Sequence, residues 1–226
     1  MQLAGIDGCK SGWVAVLSEA GSPASARLAH APDLAALLAQ VDFALVDMPV
    51  GFVAGPEPRD VETAMRKALK GKTSSVFPTP CRMALAEPIY FDASHVNETV
   101  LGKRLPKQSF MLFPKMREVD ALVRDLGQVR LREGHPEVSF AQMAGTPVLS
   151  RKRDAAGQAE RIALLQARGL PALHLLAQAG RGMGADDVLD AAALWWSADR
   201  FAQGQHITFP PVPSRDAVGL EMSVIA

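Results

Sequence analysis

The chain is organised around one stretch near its C-terminus, Gly184-Ala185-Asp186-Asp187-Val188-Leu189-Asp190-Ala191-Ala192-Ala193-Leu194-Trp195-Trp196. From Val188 onward the side chains are apolar on nearly every face, a pattern that is typical of a fully buried helix. Asp187 and Asp190 are spaced so that both carboxylates project from one side of that helix. Because like charges repel and a desolvated carboxylate needs a counter-ion, this pair predicts a bound cation.

A helix terminus offers an ordinary explanation for part of this pattern. Asp186 can cap the helix, and Asp187 in the first turn is favoured by the helix dipole. Asp190 lies one turn further in, so capping does not explain it, although an arginine elsewhere in the fold can pair with it. The sequence therefore leaves two interpretations open, a metal site and a structural ion pair.

Length and composition bound the class of protein. The 226 residues predict one domain spanning residues 1–226, with an insertion at about residues 52–127. The 24 lysines and arginines balance 24 aspartates and glutamates, so global charge neither favours nor excludes nucleic acid. No apolar run is long enough to span a bilayer and no signal peptide is present, so we expect a cytoplasmic protein without a membrane partner. Cys9 and Cys81 form neither a disulfide framework nor a zinc motif and are predicted to be reduced thiols.

The N-terminal part predicts strands that end in aspartate. Residues 2–6 and 13–17 are apolar runs around a glycine-bearing turn, which predicts a hairpin with Asp7 at the end of its first strand. A weaker third strand is predicted near residues 24–29. The continuous apolar run 43–46 then predicts a fourth strand, buried on both faces and ending at Asp47. Because open α/β sheets bind ligands at strand ends, two such ends predict a site there.

The insertion is basic, although the net charge of the whole chain is zero. Residues 52–132 contain 14 lysines and arginines against 9 aspartates and glutamates, a net charge of +5. Within it, residues 72–82 are rich in Ser, Thr, Lys and Arg and are broken by two prolines, which predicts a fixed binding loop containing Lys72, Ser75 and Arg82. Such a segment can receive phosphates, although dispersed surface lysines explain the charge equally well.

A third strand end with carboxylates follows the insertion. Residues 128–133 alternate polar and apolar side chains and predict a strand running into His135-Pro136-Glu137. His135 can simply bond a loop, and Glu137 can sit in the first turn of a helix begun by Pro136. Lys152 lies in the next basic turn.

The remaining C-terminal text predicts helices and a tail. Helices are predicted at residues 158–168 and 170–179, and Gly204 is expected to stop the last helix. A proline-rich tail from Pro210 and a short apolar piece at residues 222–225 complete the chain. Strands alternating with helices in this order predict an α/β fold, a mixed sheet flanked by helices with a basic insertion after the fourth strand.

If the strand ends converge, the acids form one cluster of oxygen ligands. Asp7, Asp47, Asp187 and Asp190 would supply it, together with Glu137 or Glu133. Hard oxygen ligands suit Mg²⁺ or Mn²⁺, whereas zinc prefers His and Cys. Two such ions a few ångströms apart can support phosphodiester hydrolysis.

Five motifs spread over the chain resemble a family of predicted nucleases with a ribonuclease-H-like fold, a domain-of-unknown-function family. They are Gly5-Ile6-Asp7-Gly8-Cys9-Lys10-Ser11-Gly12-Trp13, Asp47-Met48-Pro49-Val50-Gly51, Ser74-Ser75-Val76-Phe77-Pro78-Thr79-Pro80-Cys81-Arg82, His135-Pro136-Glu137-Val138-Ser139-Phe140 and Asp186-Asp187-Val188-Leu189-Asp190-Ala191. They occur in the family's order over nearly the whole chain. The resemblance implies a ribonuclease-H-like mixed sheet.

A more distant resemblance connects the acids to Holliday-junction resolvases. The matching features are Asp7 on the first strand, Asp47 after the fourth strand, and Asp187 with Asp190 on the last helix. The resemblance implies metal-dependent cleavage of a nucleic-acid backbone. One departure is that the resolvases carry a glutamate at the position of Asp47, whose side chain is one methylene shorter.

These observations lead to one main hypothesis, a nuclease that uses Mg²⁺ or Mn²⁺ and acts on DNA or RNA. The predicted catalytic residues are Asp7, Asp47, Glu137, Asp187 and Asp190, of which Asp7, Asp47, Asp187 and Asp190 are the predicted metal ligands. The predicted substrate-binding residues are Lys10, Lys72, Ser75, Arg82, His135 and Lys152.

Two other functions remain open. An actin-like or sugar-kinase-like phosphotransferase would hold nucleotide phosphates on the glycine-bearing hairpin, but the chain is short for two such domains. A non-catalytic nucleic-acid-binding module would retain the carboxylates without using them. The sequence does not distinguish a DNA substrate from an RNA substrate, because it contains no recognisable base-reading module or aromatic stacking motif. Trp195 and Trp196 are expected in the core, and a homodimer through them is the alternative.

Overall fold

A mixed sheet forms the centre of the protein, and the computed structural model describes residues Met1–Ala226. Its seven strands are β1 (Gln2–Cys9), β2 (Gly12–Glu19), β3 (Arg27–Ala31), β4 (Phe43–Val46), β5 (Leu131–Gly134), β6 (Thr208–Arg215) and β7 (Glu221–Ile225), in the spatial order β3-β2-β1-β4-β5-β7-β6. The pairs β1/β4, β4/β5 and β5/β7 are parallel, whereas β2, β3 and β6 pair antiparallel with their neighbours. The predicted mixed sheet is therefore confirmed.

Helices cover both faces of this sheet. They are α1 (Leu34–Leu38), α2 (Asp60–Ala68), α3 (Arg82–Ala86), α4 (Tyr90–Leu101), α5 (Lys107–Met111), α6 (Phe113–Leu126), α7 (Pro136–Ala144), α8 (Ala155–Ala167), α9 (Ala172–Ala177) and α10 (Ala185–Ala202). Because side chains alternate along a strand, Leu45 packs in the core beneath α10, and its neighbour Val46 packs in the opposite core with α6. None of the helices combines the length and the apolar character needed to cross a membrane.

Helix α10 packs directly on β1, and glycine permits the close approach. A Cβ atom added at Gly5 would lie 2.0 Å from the backbone nitrogen of Trp195, far inside van der Waals contact. Trp195 is fully buried there, as expected for a core residue, while Trp196 is only partly buried. The seating of α10 on β1 brings Asp190 beside the end of the sheet that carries Asp7.

Two N-terminal predictions need correction in their boundaries. Strand β1 does not stop before Asp7 but continues to Cys9, because the hairpin register pairs Asp7 with Val14. The third strand runs over Arg27–Ala31 rather than residues 24–29, since Pro23–Ser25 form a 3-10 turn. The fourth strand, Phe43–Val46, is where it was predicted.

The C-terminal tail is part of the sheet, which the sequence did not predict. Strand β6 contains the prolines, and its position at the sheet edge tolerates their missing N–H groups. Strand β7 inserts between β5 and β6, so the apolar residues near 222–225 complete the core. Between β4 and β5, the segment predicted as an insertion contains α2 to α6.

Candidate functional site

Three acids from three separate elements meet at one end of the sheet. Asp7 lies in β1, Asp47 follows β4 directly, and Asp190 lies in the second turn of α10. Because β1 and β4 are adjacent and parallel, both acids lie at the same edge of the sheet. All three line one cavity of about 720 Å³. We refer to Asp7, Asp47 and Asp190 as the cavity carboxylates.

The cavity carboxylates share a single close cation. Asp7 and Asp190 are only 7% and 1% exposed. The Lys152 ammonium donates to Oδ2 of Asp190 at 2.5 Å, while the buried Oδ1 of Asp190 has no hydrogen-bond partner. Asp7 accepts a hydrogen bond from the backbone N–H of Gly8 at 2.7 Å. Three acids therefore face one lysine, and the cluster is short of donors.

Burial dominates the protonation of this cluster. It raises the pKa of Asp47 and of Asp190 to about 6 each, against the opposing effect of the Lys152 cation. Burial together with the charges of Asp47 and Asp190 raises the pKa of Asp7 well above its ordinary value. Burial also opposes the charge of Lys152, but the neighbouring acids hold the pKa of Lys152 above that of a free lysine. The cluster thus favours a further cation or bound protons.

The first turn of α10 adds two acids to the cavity wall. Asp187 accepts a hydrogen bond from the backbone N–H of Gly184 at 2.8 Å, so Asp187 takes the capping role that was predicted for Asp186. It also lines the cavity, and burial raises its pKa. Asp186 pairs with the exposed Arg153 at 3.4 Å. Asp187 therefore combines a capping role with a position at the site.

Glu137 lines the same cavity but is already compensated. Its carboxylate receives two hydrogen bonds of 2.9 Å from Arg161, and the Lys72 ammonium lies 3.0 Å away. Lys72 also donates to the carbonyl oxygens of Val148 and Ser150. The predicted phosphate contact of Lys72 is thus replaced by internal pairing, because its ammonium has three acceptors within the protein.

His135 and Ser75, two more of the predicted substrate-binding residues, form hydrogen bonds within the protein. His135 Nε2 lies 3.3 Å from the carbonyl oxygen of Ser75, and burial lowers the pKa of His135. The Ser75 hydroxyl donates to the carbonyl oxygen of Lys72 at 2.8 Å. Both side chains line the cavity, yet these bonds show them holding the loop against the strand end.

Glu133 also lines the cavity and belongs to a separate charge pair. It accepts hydrogen bonds from Arg59 at 2.6 Å and from the backbone N–H of Val50 at 2.8 Å. Burial raises its pKa to about 7, while the Arg59 charge works in the opposite direction. Both Glu133 and Glu137 therefore border the site, and each has an arginine of its own.

Two predicted substrate contacts lie outside the main cavity. Arg82 is not among the lining residues, and its guanidinium pairs with Asp120 and with Asp216, the latter at 2.6 Å. Two carboxylates hold its charge, and its role in substrate binding stays a prediction. Lys10 lines a neighbouring cavity of about 380 Å³ with Ser11, Arg181 and Gly182.

The structure adds basic residues that the sequence analysis did not select. Arg151 and Arg153 line the main cavity on either side of Lys152, and both are exposed. The run of three consecutive basic residues before α8 was a usable signal for them. The pairing of Arg161 with Glu137 had no local signal, since the partners lie 24 positions apart.

The acids of the cavity match a divalent cation in the type of their ligand atoms, but they are not arranged as a metal site. No group of three or more His, Cys, Asp or Glu side chains is arranged so that it could hold a metal ion as the structure stands. The donors are nevertheless carboxylate oxygens, which Mg²⁺ and Mn²⁺ prefer, and Asp190 offers a buried oxygen without a partner. The residues present therefore fit such an ion in type and charge.

Comparison with known proteins gives a family and no function. The family model described as "Protein of unknown function (DUF429)" matches residues 5–215, a segment that contains all of the cavity carboxylates. No curated protein and no solved structure matches the chain. The predicted membership of a domain-of-unknown-function family is confirmed at that level: the chain belongs to the DUF429 family of proteins of unknown function.

Proposed function

We propose that this protein is a divalent-metal-dependent nuclease that hydrolyses phosphodiester bonds of DNA or RNA on a ribonuclease-H-like fold. One observation carries the proposal: Asp7 and Asp190 are buried, Asp47 is partly buried, and the three acids share one lysine at a cavity of about 720 Å³. Perturbed acids that meet in a cleft are characteristic of catalytic sites. Support for the fold assignment comes from the meeting of acids from β1, from the end of the adjacent β4 and from the last long helix.

The acids would hold Mg²⁺ or Mn²⁺. Asp7 and Asp190 are the proposed main ligands, and Asp47 and Asp187, which line the same cavity, are the proposed further ligands. Such an ion supplies Lewis-acid stabilisation of the charge on phosphate oxygens. Its charge would replace that of Lys152 as the counter-ion of Asp190 and satisfy the unpaired Oδ1 atom.

Basic side chains around the cavity would bind the phosphates of the substrate. Arg151, Lys152 and Arg153 line the cavity next to the acids, and Lys10 and Arg181 line the neighbouring one. Positive charge beside the site draws in an anionic strand and orients it. Lys72 and Arg82 are left out of this set because their charges are bound within the protein.

The proposal is tested by cleavage assays with matched carboxylate variants. Wild type, Asp7→Asn and Asp190→Asn are compared with Asp125→Asn, which removes an exposed carboxylate of α6 outside the cavity. Single-stranded, duplex, hybrid and junction substrates are incubated with Mg²⁺, with Mn²⁺ or with EDTA. We expect metal-dependent cleavage by wild type and Asp125→Asn and a loss of roughly 10³-fold or more in the other two. Undiminished cleavage by both site variants, or no cleavage by wild type on any substrate, would overturn the proposal.

Unfolding curves of the same proteins separate chemistry from folding. Asparagine keeps the volume of aspartate and removes a buried charge, which Lys152 compensates only in part at Asp190, so neither site variant should be less stable than wild type in the absence of metal. A loss of activity with retained stability would then be assigned to the site.

A further inference from the structure

Phe77 presents an aromatic ring to solvent at the cavity. Half of its surface, 50%, is exposed, and no other Phe, Tyr or Trp lines the cavity. Its neighbour Val76 is 4% exposed, so the loop turns one apolar side chain inward and the next outward. An apolar ring held in water beside a binding cavity is available to a ligand with a flat apolar face.

The backbone on both sides of Phe77 is anchored. The carbonyl oxygen of Val76 accepts a hydrogen bond from Arg66 at 3.1 Å. On the other side, the Thr79 hydroxyl donates to Glu62 at 2.5 Å, and Pro78 restricts the chain between them. The ring is therefore carried by a fixed loop, which reduces the conformational entropy lost when a ligand binds.

The rest of the cavity divides into regions that match the parts of a nucleotide. The cavity carboxylates and the basic residues around Lys152 form a charged region suited to a phosphate and its cation. Met48, Leu112 and Met116 line the same cavity, so its wall has apolar side chains besides Phe77. A ligand that carries a phosphate at one end and a flat base at the other matches both regions.

We infer that Phe77 stacks on an unpaired nucleobase of the substrate, an inference that rests on the nuclease proposal. Bases stack on aromatic side chains without sequence preference, because every base has a π face. A base inside a duplex already has neighbours on both faces, so only an unpaired or splayed nucleotide can use the ring. The substrate class is thus single-stranded nucleic acid, or a branched nucleic acid with unpaired nucleotides at the cleaved position.

The experiment measures binding with and without bases. Fluorescence anisotropy follows a labelled oligothymidine, a duplex of equal length, and an oligomer of equal length that carries only abasic sugars. Each is titrated with wild type, Phe77→Ala, Phe77→Leu and Phe91→Ala, in EDTA and again in Ca²⁺. Phe91 is the matched control, since it is 76% exposed on α4 and does not line the cavity. Unfolding curves confirm that each variant is folded.

We expect Phe77→Ala to bind oligothymidine about 5- to 100-fold more weakly than wild type, the range that one base–aromatic stack provides. Phe77→Leu, which keeps apolar bulk but loses the π face, should be weakened as well, whereas Phe91→Ala should match wild type. The abasic oligomer should bind wild type and Phe77→Ala equally. In addition, the emission of a tryptophan in Phe77→Trp should be quenched by oligothymidine and not by the abasic oligomer.

The possible failures of the two proposals are distinguishable. Stacking is overturned, and the nuclease proposal stands, if wild type cleaves nucleic acid but Phe77→Ala binds oligothymidine with wild-type affinity. The same holds if Phe77→Ala loses as much affinity for the abasic oligomer as for oligothymidine. If base-dependent binding requires Phe77 but no substrate is cleaved, stacking stands and the nuclease proposal falls. If wild type binds none of the probes, both fall.

Discussion

Two groups of buried carboxylates in this protein differ in how their charge is compensated. In the Arg82 network, defined as Arg82, Asp120 and Asp216, the guanidinium contacts both acids, and Asp216 also accepts three backbone N–H groups. Among the cavity carboxylates, Lys152 contacts Asp190 alone, and one oxygen of Asp190 has no partner. The first group has donors for its acids, and the second does not.

The pKa values follow this difference in opposite directions. Burial works to raise the pKa of Asp216, but the hydrogen bonds from Arg82 and from the backbone bring it below its ordinary value. Burial raises the pKa of Asp190 to about 6, because Lys152 compensates only part of the same cost. Burial of a carboxylate therefore does not by itself raise its pKa: the pKa stays high where the buried acid has too few donors.

The largest expected effect is the loss of stability when the Arg82 network is broken. Asp216→Ala leaves Arg82 with one carboxylate and three backbone N–H groups without their acceptor. We expect the free energy of unfolding to fall by about 3 kcal/mol, as for other buried pairs that lose one partner. Urea unfolding followed by tryptophan fluorescence measures it. Asp190→Asn should show no such loss, and a larger loss in Asp190→Asn than in Asp216→Ala would reverse the comparison.

The next largest expected effect is stabilisation by metal ions, which should depend on the cavity carboxylates and not on the Arg82 network. Because Lys152 is the only cation in contact with the three cavity carboxylates, Mn²⁺ or Mg²⁺ should stabilise wild type, by about 2.7 kcal/mol at an ion concentration one hundred times the dissociation constant. Thermal unfolding at increasing ion concentration measures this shift. Asp216→Asn should keep the ion-dependent increment, since its acid lies outside the cavity. An equal increment in Asp187→Asn/Asp190→Asn would show that the ion binds elsewhere.

A third, smaller effect is a pH dependence of opposite sign to that of a paired acid. The folded-state pKa of Asp190, about 6, lies above the ordinary value of 3.8, so the folded protein binds a proton that the unfolded chain has released. Relative to Asp190→Asn, wild type should lose stability as pH rises from about 4 to about 6, by on the order of 2 kcal/mol, and then level off. Urea unfolding of both proteins across this range gives the difference directly. A difference that stays constant, or that grows in favour of wild type, would contradict the assignment.

The smallest expected effect concerns Lys152 itself. Lys152→Met removes the only cation that contacts Asp190, so the metal-free protein should be less stable than wild type. Because a divalent ion no longer competes with the lysine, its affinity should rise roughly tenfold, equal to about 1.4 kcal/mol. Isothermal titration calorimetry with Mn²⁺ measures the change. Weaker binding by Lys152→Met would mean that the lysine supports the ion instead of competing with it.

The parts of the fold that depend on local patterns were predictable from the sequence. The strand Phe43–Val46 is where it was predicted, and the N-terminal hairpin is present with a longer first strand and a turn at Lys10 and Ser11. Both were predictable because apolar runs and turn residues act over a few positions. Strand β6 was missed, since prolines lower strand propensity and only the sheet edge makes them acceptable. Strand β7 was seen only as a short apolar piece, because its place between β5 and β6 depends on pairing with distant strands.

For the candidate site, the acids were predictable and their partners were not. Asp7, Asp47, Asp187 and Asp190 all line one cavity, as the strand-end argument predicted. The basic run 151–153 was visible, but the sequence did not show which acid each lysine or arginine contacts, because the same basic side chain can face solvent or an internal acid. Phe77 was visible only as part of a proline-rich motif.

The sequence by itself determined which carboxylates lie at the strand ends and on the buried helix, because periodicity and strand termination are local properties of the chain. Only the tertiary structure decided which cation each acid meets. Lys152 reaches Asp190 across 38 positions, and Arg82 reaches Asp216 across 134. Such pairs depend on how distant elements pack, and this packing leaves one group of acids satisfied and the other in need of a counter-ion.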